Sequence, residues 1–294
     1  MPNIRCRFCG NEECKPAGSR FTVYSAAKPL YRCLACHRRF TPDSAFRCMK
    51  FSAEIITKCI LLWNKGVSLR QICNYMELSE GIYVSHASVL RWLCKYAKLL
   101  KPHLDSKQVN CQDMHLHADE KMLHVKGRTA YEWVVKCKEN KYILADRITA
   151  TRRGVEAKAA FAEAKSKIIG MPMSVTTDDY AGYLGAFNDS FYSNRYPRVE
   201  HHHSAGVRGL VSNNLIERHN SMIQGRLYTV RGFKETGSAG DLMNMFNLVY
   251  FNHLRPNLAL GGKTPAEAAG MERKSLIGMI EDAYEWQRRT YNGN

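Results

Sequence analysis

Four runs between Met114 and Thr177 limit this chain more than any other feature. "MHLHADEKMLHV", "TAYEWVVKC" and "KYILADRITA" follow one another across short polar or glycine turns, the second and third rich in β-branched and aromatic residues. Such runs read as consecutive antiparallel strands. An alanine-rich helical stretch, "GVEAKAAFAEAKSKI", then leads to a short fourth strand, "MSVTT". The expectation is an α/β domain built on a three-strand meander, a helix and a returning strand; periodicity alone leaves other α/β arrangements open.

Carboxylates sit where these strands could make them useful. Asp119 lies mid-strand among Leu116, Ala118, Met122 and Leu123, where an acid is costly unless something compensates it. Its neighbour Glu120 should point to the opposite face, as a solvated or structural residue. The fourth strand ends at Asp178–Asp179, ahead of an apolar helical stripe of Tyr180, Tyr183, Leu184 and Phe187. Asp179 is expected to cap that helix, which leaves Asp178 free to hold a metal. Asp113 and Asp146 are weaker candidates at strand margins. A third acid is available in "SNNLIERHNSMIQGRLYTVRGF", where Asn213 or Asn214 caps a helix and Glu217 shares a face with Ser221 and Gln224. Three acids brought together from rigid elements suit a pair of hard divalent cations, which prefer carboxylate oxygen.

The N-terminal third has a different character. Residues 1–105 hold 17 Lys and Arg against 7 Asp and Glu, within a chain whose formal net charge is +16. Uneven positive charge interleaved with aromatic residues suits a polyanion. Cys6-x-x-Cys9 and Cys33-x-x-Cys36, 23 residues apart, present two thiolate pairs for a tetrahedral zinc, with Cys14 or His37 as possible substitutes. We therefore expect a zinc ribbon over residues 1–44, holding one structural Zn²⁺. Cys48, Cys59, Cys73, Cys94, Cys111 and Cys137 stand singly and are expected as small buried hydrophobes.

Helical spacing begins at Phe51, Ile55, Cys59 and Leu62, with Gly66 as a stop. "SLRQ" at Ser68–Gln71 is a capping box, and Ser85 can cap "HASVLRWLCKYAKLL". Helix, short helix, turn and basic helix over 45–105 is a helix-turn-helix plan, a plain three-helix bundle being the alternative. Arg70, His86, Ser88, Arg91 and Lys95 are its expected DNA contacts. Pro102 and "DSKQVNCQD" read as a linker to a unit spanning 112–270, followed by a helix over 271–294 suited equally to the core or to a partner chain.

From about Gly66 to Gly270 the chain resembles the DDE transposases of insertion sequences, nearest the replicative "family six" group with an integrase-type ending. The matching stretches are "GVSLRQI", "VSHASVLRWL", "HADEKMLHVKG", "TTDDYAGY", "VSNNLIERHN" with "RGF", and "YFNHLRPNLALGGKTPAEA". The resemblance implies an RNase H-like, retroviral integrase-type catalytic core behind the zinc ribbon and helix-turn-helix. It implies catalytic Asp119, Asp178 and Glu217, with 58 and 38 residues between successive members. Two Mg²⁺ or Mn²⁺ ions held by that triad would serve 3′-end nicking and then direct attack of the freed hydroxyl on target DNA. Tyr183 matches an aromatic expected five residues after Asp178, and His201 a histidine upstream of the Asn pair. Gln224 departs from the Lys or Arg usual seven residues after the Glu, and Arg218, Arg226 or Arg231 are the nearby DNA-contacting substitutes.

The implied partners are double-stranded DNA, at element ends and target, and further copies of the chain as a homodimer or higher homo-oligomer. Competing readings are a DNA-binding regulator derived from an inactive transposase, and a nuclease of the same fold that cuts without joining. "EHHHS" at Glu200–Ser204 is expected to be a solvated or DNA-facing run. "MPNIRCRFCG" lacks a signal peptide's apolar core, and no apolar run reaches the ~20 residues that span a bilayer. A cytoplasmic, nucleoid-associated protein with reduced thiols and no membrane contact is the expectation.

Overall fold

The computed structural model describes residues 4–22, 25–194, 198–204, 213–230 and 232–292. Near the N-terminus, β1 (Cys14–Thr22), β2 (Ser25–Cys33) and β3 (Arg39–Phe40) form an antiparallel sheet in that order. Among the described residues its interior is Cys6, Cys33 and Phe40, with Ile4, Cys14, Tyr31 and Cys36 packed around them. So small a core cannot hold the ribbon unaided, which is the usual condition of a metal-stapled module.

Three helices follow, each begun by the residue its sequence advertises. Ser52 accepts from Ile55 N–H to start α1 (Ala53–Asn64), and Gly66, at φ +101°, ends the turn after it. Ser68 and Gln71 close the expected capping box on α2 (Leu69–Glu80). Ser85 accepts from Ser88 N–H at the start of α3 (His86–Asp105). The expected break at Pro102 does not occur. A proline in the last turn removes a single backbone bond, and Leu100 and Leu104, buried on either side of it, hold the helix in place.

The α/β unit begins with β4 (Val109–Asn110) inside the expected linker, and continues through β5 (His115–Val125), β6 (Arg128–Cys137) and β7 (Ile143–Thr149). Next come α4 (Gly154–Ser166), β8 (Ile168–Ile169), β9 (Ser174–Thr177), α5 (Gly182–Ser190) and β10 (Glu200–His203). The central sheet has the order β10-β9-β5-β6-β7, with β5, β6 and β7 antiparallel and β9 and β10 parallel to β5; β4 pairs separately with β8. A meander extended on its first strand by two parallel strands is the RNase H arrangement. Strand β10 was not foreseen, because "EHHH" has no apolar residue; it forms as an edge, with His201 beside Val175.

One sheet face, with Leu116, Ala118 and Val175, packs on Phe161, Tyr183 and Phe187 of α4 and α5. The other, with Leu123, Val125 and Val134, packs under α6 (Asn214–Leu227) and α7 (Thr236–Asn244), which widens into a π-helical stretch at Met245–Leu254. A 3-10 turn, Leu258–Leu260, α8 (Pro265–Ala268) and α9 (Leu276–Asn292) complete the chain. The second core is not confined to the α/β unit. Trp63, Leu93, Tyr96 and Leu100 of α1 and α3, and Leu276 and Ile280 of α9, belong to the same cluster as Val134 and Ile223. Each such side chain contributes about 1.5–3 kcal/mol of apolar burial, so α1–α3 and α9 are parts of one interior. Among the described residues no helix is long and apolar enough to cross a membrane.

Candidate active site

Asp119 and Asp178 meet because β5 outruns β9. The two strands pair only from His115 to His117 on β5, and β9 stops at Thr177, so the edge of β5 is open from Ala118 until Val125, which bridges to Phe233. Asp178 stands at that end. Glu120 springs from the opposite face, as alternation requires, but with no neighbour strand to block it its carboxylate turns round the open edge. Ligand atoms of Asp119, Glu120 and Asp178 lie within 4.8 Å of one another. Glu120 is thus neither solvated nor remote from the pair: its side chain is 5% exposed.

Three groups restrain these acids. Tyr183 Oη donates to Glu120 Oε2 at 2.5 Å. Arg152, just before α4, pairs with Glu120 and reaches Asp178 Oδ2 at 3.4 Å. Asn220 Nδ2 of α6 donates to Asp119 Oδ2 at 2.8 Å. Arg152 is placed in turn by Tyr180, whose ring lies 4.3 Å beneath the guanidinium and whose hydroxyl donates to Arg152 O at 2.8 Å. The bend that permits this needs Gly182: a Cβ there would strike the Tyr180 ring and come within 3.1 Å of Gly154 Cα. None of Arg152, Asn220 or the convergence of Glu120 carries a sequence signal that separates it from ordinary surface polarity.

The electrostatics follow from burial and crowding. Burial, then the charges of Glu120 and Asp178, push the Asp119 carboxyl up to about 7, and burial also raises Glu120. Near neutral pH a proton and a cation therefore compete for Asp119. The donor set, all carboxylate oxygen, suits Mg²⁺ or Mn²⁺.

Other expected site residues fall as follows. Asp178, not Asp179, closes the turn before α5, its Oδ1 accepting from Tyr180 N–H at 3.1 Å. The helix starts only at Gly182, too far along for Asp179 to cap it, and Asp179 lies exposed with His203 Nδ1 at 3.9 Å. Asn213 holds the N-cap position of α6, but its side-chain oxygen meets His117 Nδ1 at 2.9 Å. Glu217 is exposed on α6 and is not among the three clustered acids; it lies on the flank of the helix that also carries Asn220 and Gln224. Asp113 is exposed in a turn, and Asp146 is buried beside Glu132 and Asn247, away from the cluster. His201 stacks on Phe187, 4.5 Å between ring centres, and meets Thr177 Oγ1 at 3.0 Å.

Arg70, His86, Arg91 and Lys95 are exposed, Ser88 is half-buried, and Arg218 is exposed. Arg226 does not fit a DNA contact: Ile216, His219, Ile223 and Arg226 form the inward face of α6, and its guanidinium lies 3.7 Å over the Trp63 ring. Arg231 lies outside the described residues. In the ribbon, Cys6, Cys9, Cys33 and Cys36 are the four that converge within 4.8 Å, with Cys6–Cys36 and Cys9–Cys33 sulfur pairs at 3.5 Å. Cys14 instead approaches Asn11 O, and His37 is not in the cluster. The Cys36 backbone N–H is the main influence holding the Cys33 thiol down to about 6, toward the thiolate that zinc binds. Of the six single cysteines, Cys59, Cys111 and Cys137 are buried and Cys73 and Cys94 half-buried, but Cys48 is exposed, at φ +63°.

Comparison with known proteins gives the following. Residues 113–254 match a transposase family model of the IS240 type, described as a DDE domain. No match was found among curated proteins. Among solved structures, the HTLV-2 integrase catalytic core domain in complex with magnesium (trimeric form) is 16% identical over 54% of this chain and 97% of its own, at a TM-score of 0.40. A simian T-cell lymphotropic virus intasome in complex with a PP2A regulatory subunit is 14% identical over 74% and 76%, at 0.42. The BIV integrase catalytic core is 14% identical over 58% and 97%, at 0.36. Over residues 113–254, the stretch that holds Asp119, Asp178 and Glu217, the chain is similar to the DDE domain of insertion-sequence transposases.

Proposed function

We propose that this transposase binds the terminal repeats of its element, nicks their 3′ ends and joins them to target DNA, with Asp119, Asp178 and Glu217 as its catalytic carboxylates. The observation that carries the reading is the meeting of Asp119 and Asp178 at the open edge of β5, ligand atoms within 4.8 Å, under the helix that bears Glu217. When bound, Mg²⁺ or Mn²⁺ would supply Lewis-acid activation of the attacking and leaving oxygens. The chain's own part is to hold the carboxylates, to offset their charge through Arg152, and to keep Asp119 oriented through Asn220. Glu217 completes the set when α6 turns by part of one residue step toward Asp119. Cys6, Cys9, Cys33 and Cys36 hold Zn²⁺, and Arg70, His86, Ser88, Arg91 and Lys95 face the repeat, with Arg218 a further contact nearer the acids. Two ends must be processed together, so the working form is a homodimer or larger, acting at the nucleoid.

Labelled duplex ends test this. Asp119→Asn and Glu217→Gln should each lose nicking and joining by at least 10³-fold while end binding stays within about two-fold. Joining that survives in Asp119→Asn rejects the catalytic assignment. A second reading, a DNA-binding regulator, is favoured by one observation: Glu217 stands outside the acid cluster. It predicts end binding with no joining by the wild-type chain in either metal.

A further inference from the structure

The face of α6 turned away from the acid cluster borders a second feature. Met222, Leu215 and Arg218 on that flank, with His117 and Lys136 from β5 and β6 and Arg255 beyond the π-helical stretch, line a cleft of about 810 Å³. His117 and Lys136 are register partners, and His117 lies two residues, about 7 Å, along β5 from Asp119.

Lys136 is the anomalous residue. It is 4% exposed, yet among the described residues no carboxylate lies within 4.0 Å of its amine, nor of Lys138, Lys141, Arg218 or Arg255. Its contact is the Phe251 ring, 4.4 Å away. The residues outside the described set, at 1–3, 23–24, 195–197, 205–212, 231 and 293–294, include no Asp or Glu, so no acidic side chain is left to meet it. Glu139, the acid near this rim, is taken by His115, to Nδ1 at 2.9 Å and N at 3.0 Å. Burial, then Lys141 and Arg255, pull the Lys136 amine down to about 7. A buried lysine facing like charges is a standing cost, and an entering anion would remove it. Ser174 and Thr176 add hydroxyls on the floor, while Phe251 and Met222 give an apolar wall. Several converging cations, hydroxyl donors and an apolar side fit a phosphate attached to a sugar better than a lone carboxylate.

We propose that this cleft is a phosphate-binding site, centred on Lys136 and Arg255, that grips the backbone of the nucleic-acid strand whose scissile bond lies at the acid cluster. The proposal rests on the reading that those acids act on DNA. Full-length protein, without added divalent metal, is titrated with a labelled duplex over a range of KCl, as wild type, Lys136→Met, Lys136→Arg and Arg255→Gln. Lys136→Met should bind about ten-fold more weakly near 0.1 M salt and lower the log–log salt slope by about 1, with Lys136→Arg restoring both. Free Lys136→Met should melt no lower than wild type, since it loses an uncompensated charge; a lysine that merely supports the fold would melt lower. Unchanged affinity and slope in Lys136→Met and Arg255→Gln overturn the proposal. If inorganic pyrophosphate raises the wild-type melting temperature and not that of Lys136→Met, while duplex binding is equal, the site takes free phosphate and the strand assignment falls. Nicking by the wild type in Mg²⁺ separates the two claims: a nicking-competent protein whose binding ignores Lys136 loses the cleft and keeps the acids.

Discussion

Arg226 lies 3.7 Å above the centre of the Trp63 ring, and that stack joins the helix carrying Glu217 to α1, the first of the three N-terminal helices. The guanidinium is almost wholly buried, its Nε and Nη2 lack partners, and burial pulls it down to about 10. A desolvated cation–π contact contributes about 2 kcal/mol, whereas two unsatisfied buried donors cost about 1–3 kcal/mol each. The costs win, so Arg226→Met should be neutral or stabilising in a urea melt. Arg226→Ala, which leaves a void against Trp63, should lose about 2–3 kcal/mol. In neither variant should end affinity, measured where the protein is folded, change by more than about two-fold.

Arg152 is the counter-charge of Glu120 and Asp178. Replacing it with alanine leaves these acids to repel, so metal-free Arg152→Ala should melt about 2–4 °C lower. Mn²⁺ should restore the loss, and should bind more tightly than to wild type because a competing cation is gone. Weaker Mn²⁺ binding, read by titration, would mean that Arg152 chiefly holds the carboxylates in position.

Zinc removal should act locally. Among the described residues the ribbon's own core is three side chains, so Cys33→Ser or a strong chelator should abolish amide protection in β1 and β2. The large shared core owes nothing to those thiols, and protection in β5 and β6 should persist. In Cys33→Ser, with Mg²⁺ present, end binding should fall while cutting of a non-specific duplex continues.

Glu132 and Asp146 are buried together, Asn247 Nδ2 donating to Glu132 Oε1 at 2.9 Å and to Asp146 Oδ2 at 3.2 Å. Burial pushes Asp146 up to about 7 and raises Glu132 well above its ordinary range. A carboxyl whose folded pKa is raised binds its proton more tightly in the native state. Its stabilisation is therefore complete below the unfolded value near 4 and is lost as pH rises through about 7, at up to roughly 1.4 kcal/mol per pH unit for each group. The urea midpoint should fall between pH 5 and 8. Glu132→Gln should flatten that fall; an unchanged slope would show that the pair does not set it.

Much of this molecule is written in local chemistry. Ser52, Ser68 and Ser85 announce three helices because a hydroxyl accepting a backbone N–H needs nothing beyond the next turn. The meander and the aspartate closing β9 are legible for the same reason: strand alternation and strand ends are properties of short segments. What stayed hidden depends on lengths and on packing between distant elements. Glu120 joins the acids only because β9 stops beside Asp119. Arg226 turns inward because Trp63, more than 160 residues away, offers its ring. The histidine strand is held by backbone pairing with β9, which its side chains do not reveal.

The interior shared by α1, α3, α6 and α9 sets a fixed length in the molecule. The exposed row of Arg91 and Lys95 and the carboxylates at the edge of β5 are carried by elements, α3 and β5, that share this one core. If α3 reads a duplex as proposed, the offset between the sequence recognised and the bond cut is therefore gauged by the fold itself, as a caliper gauges a rod.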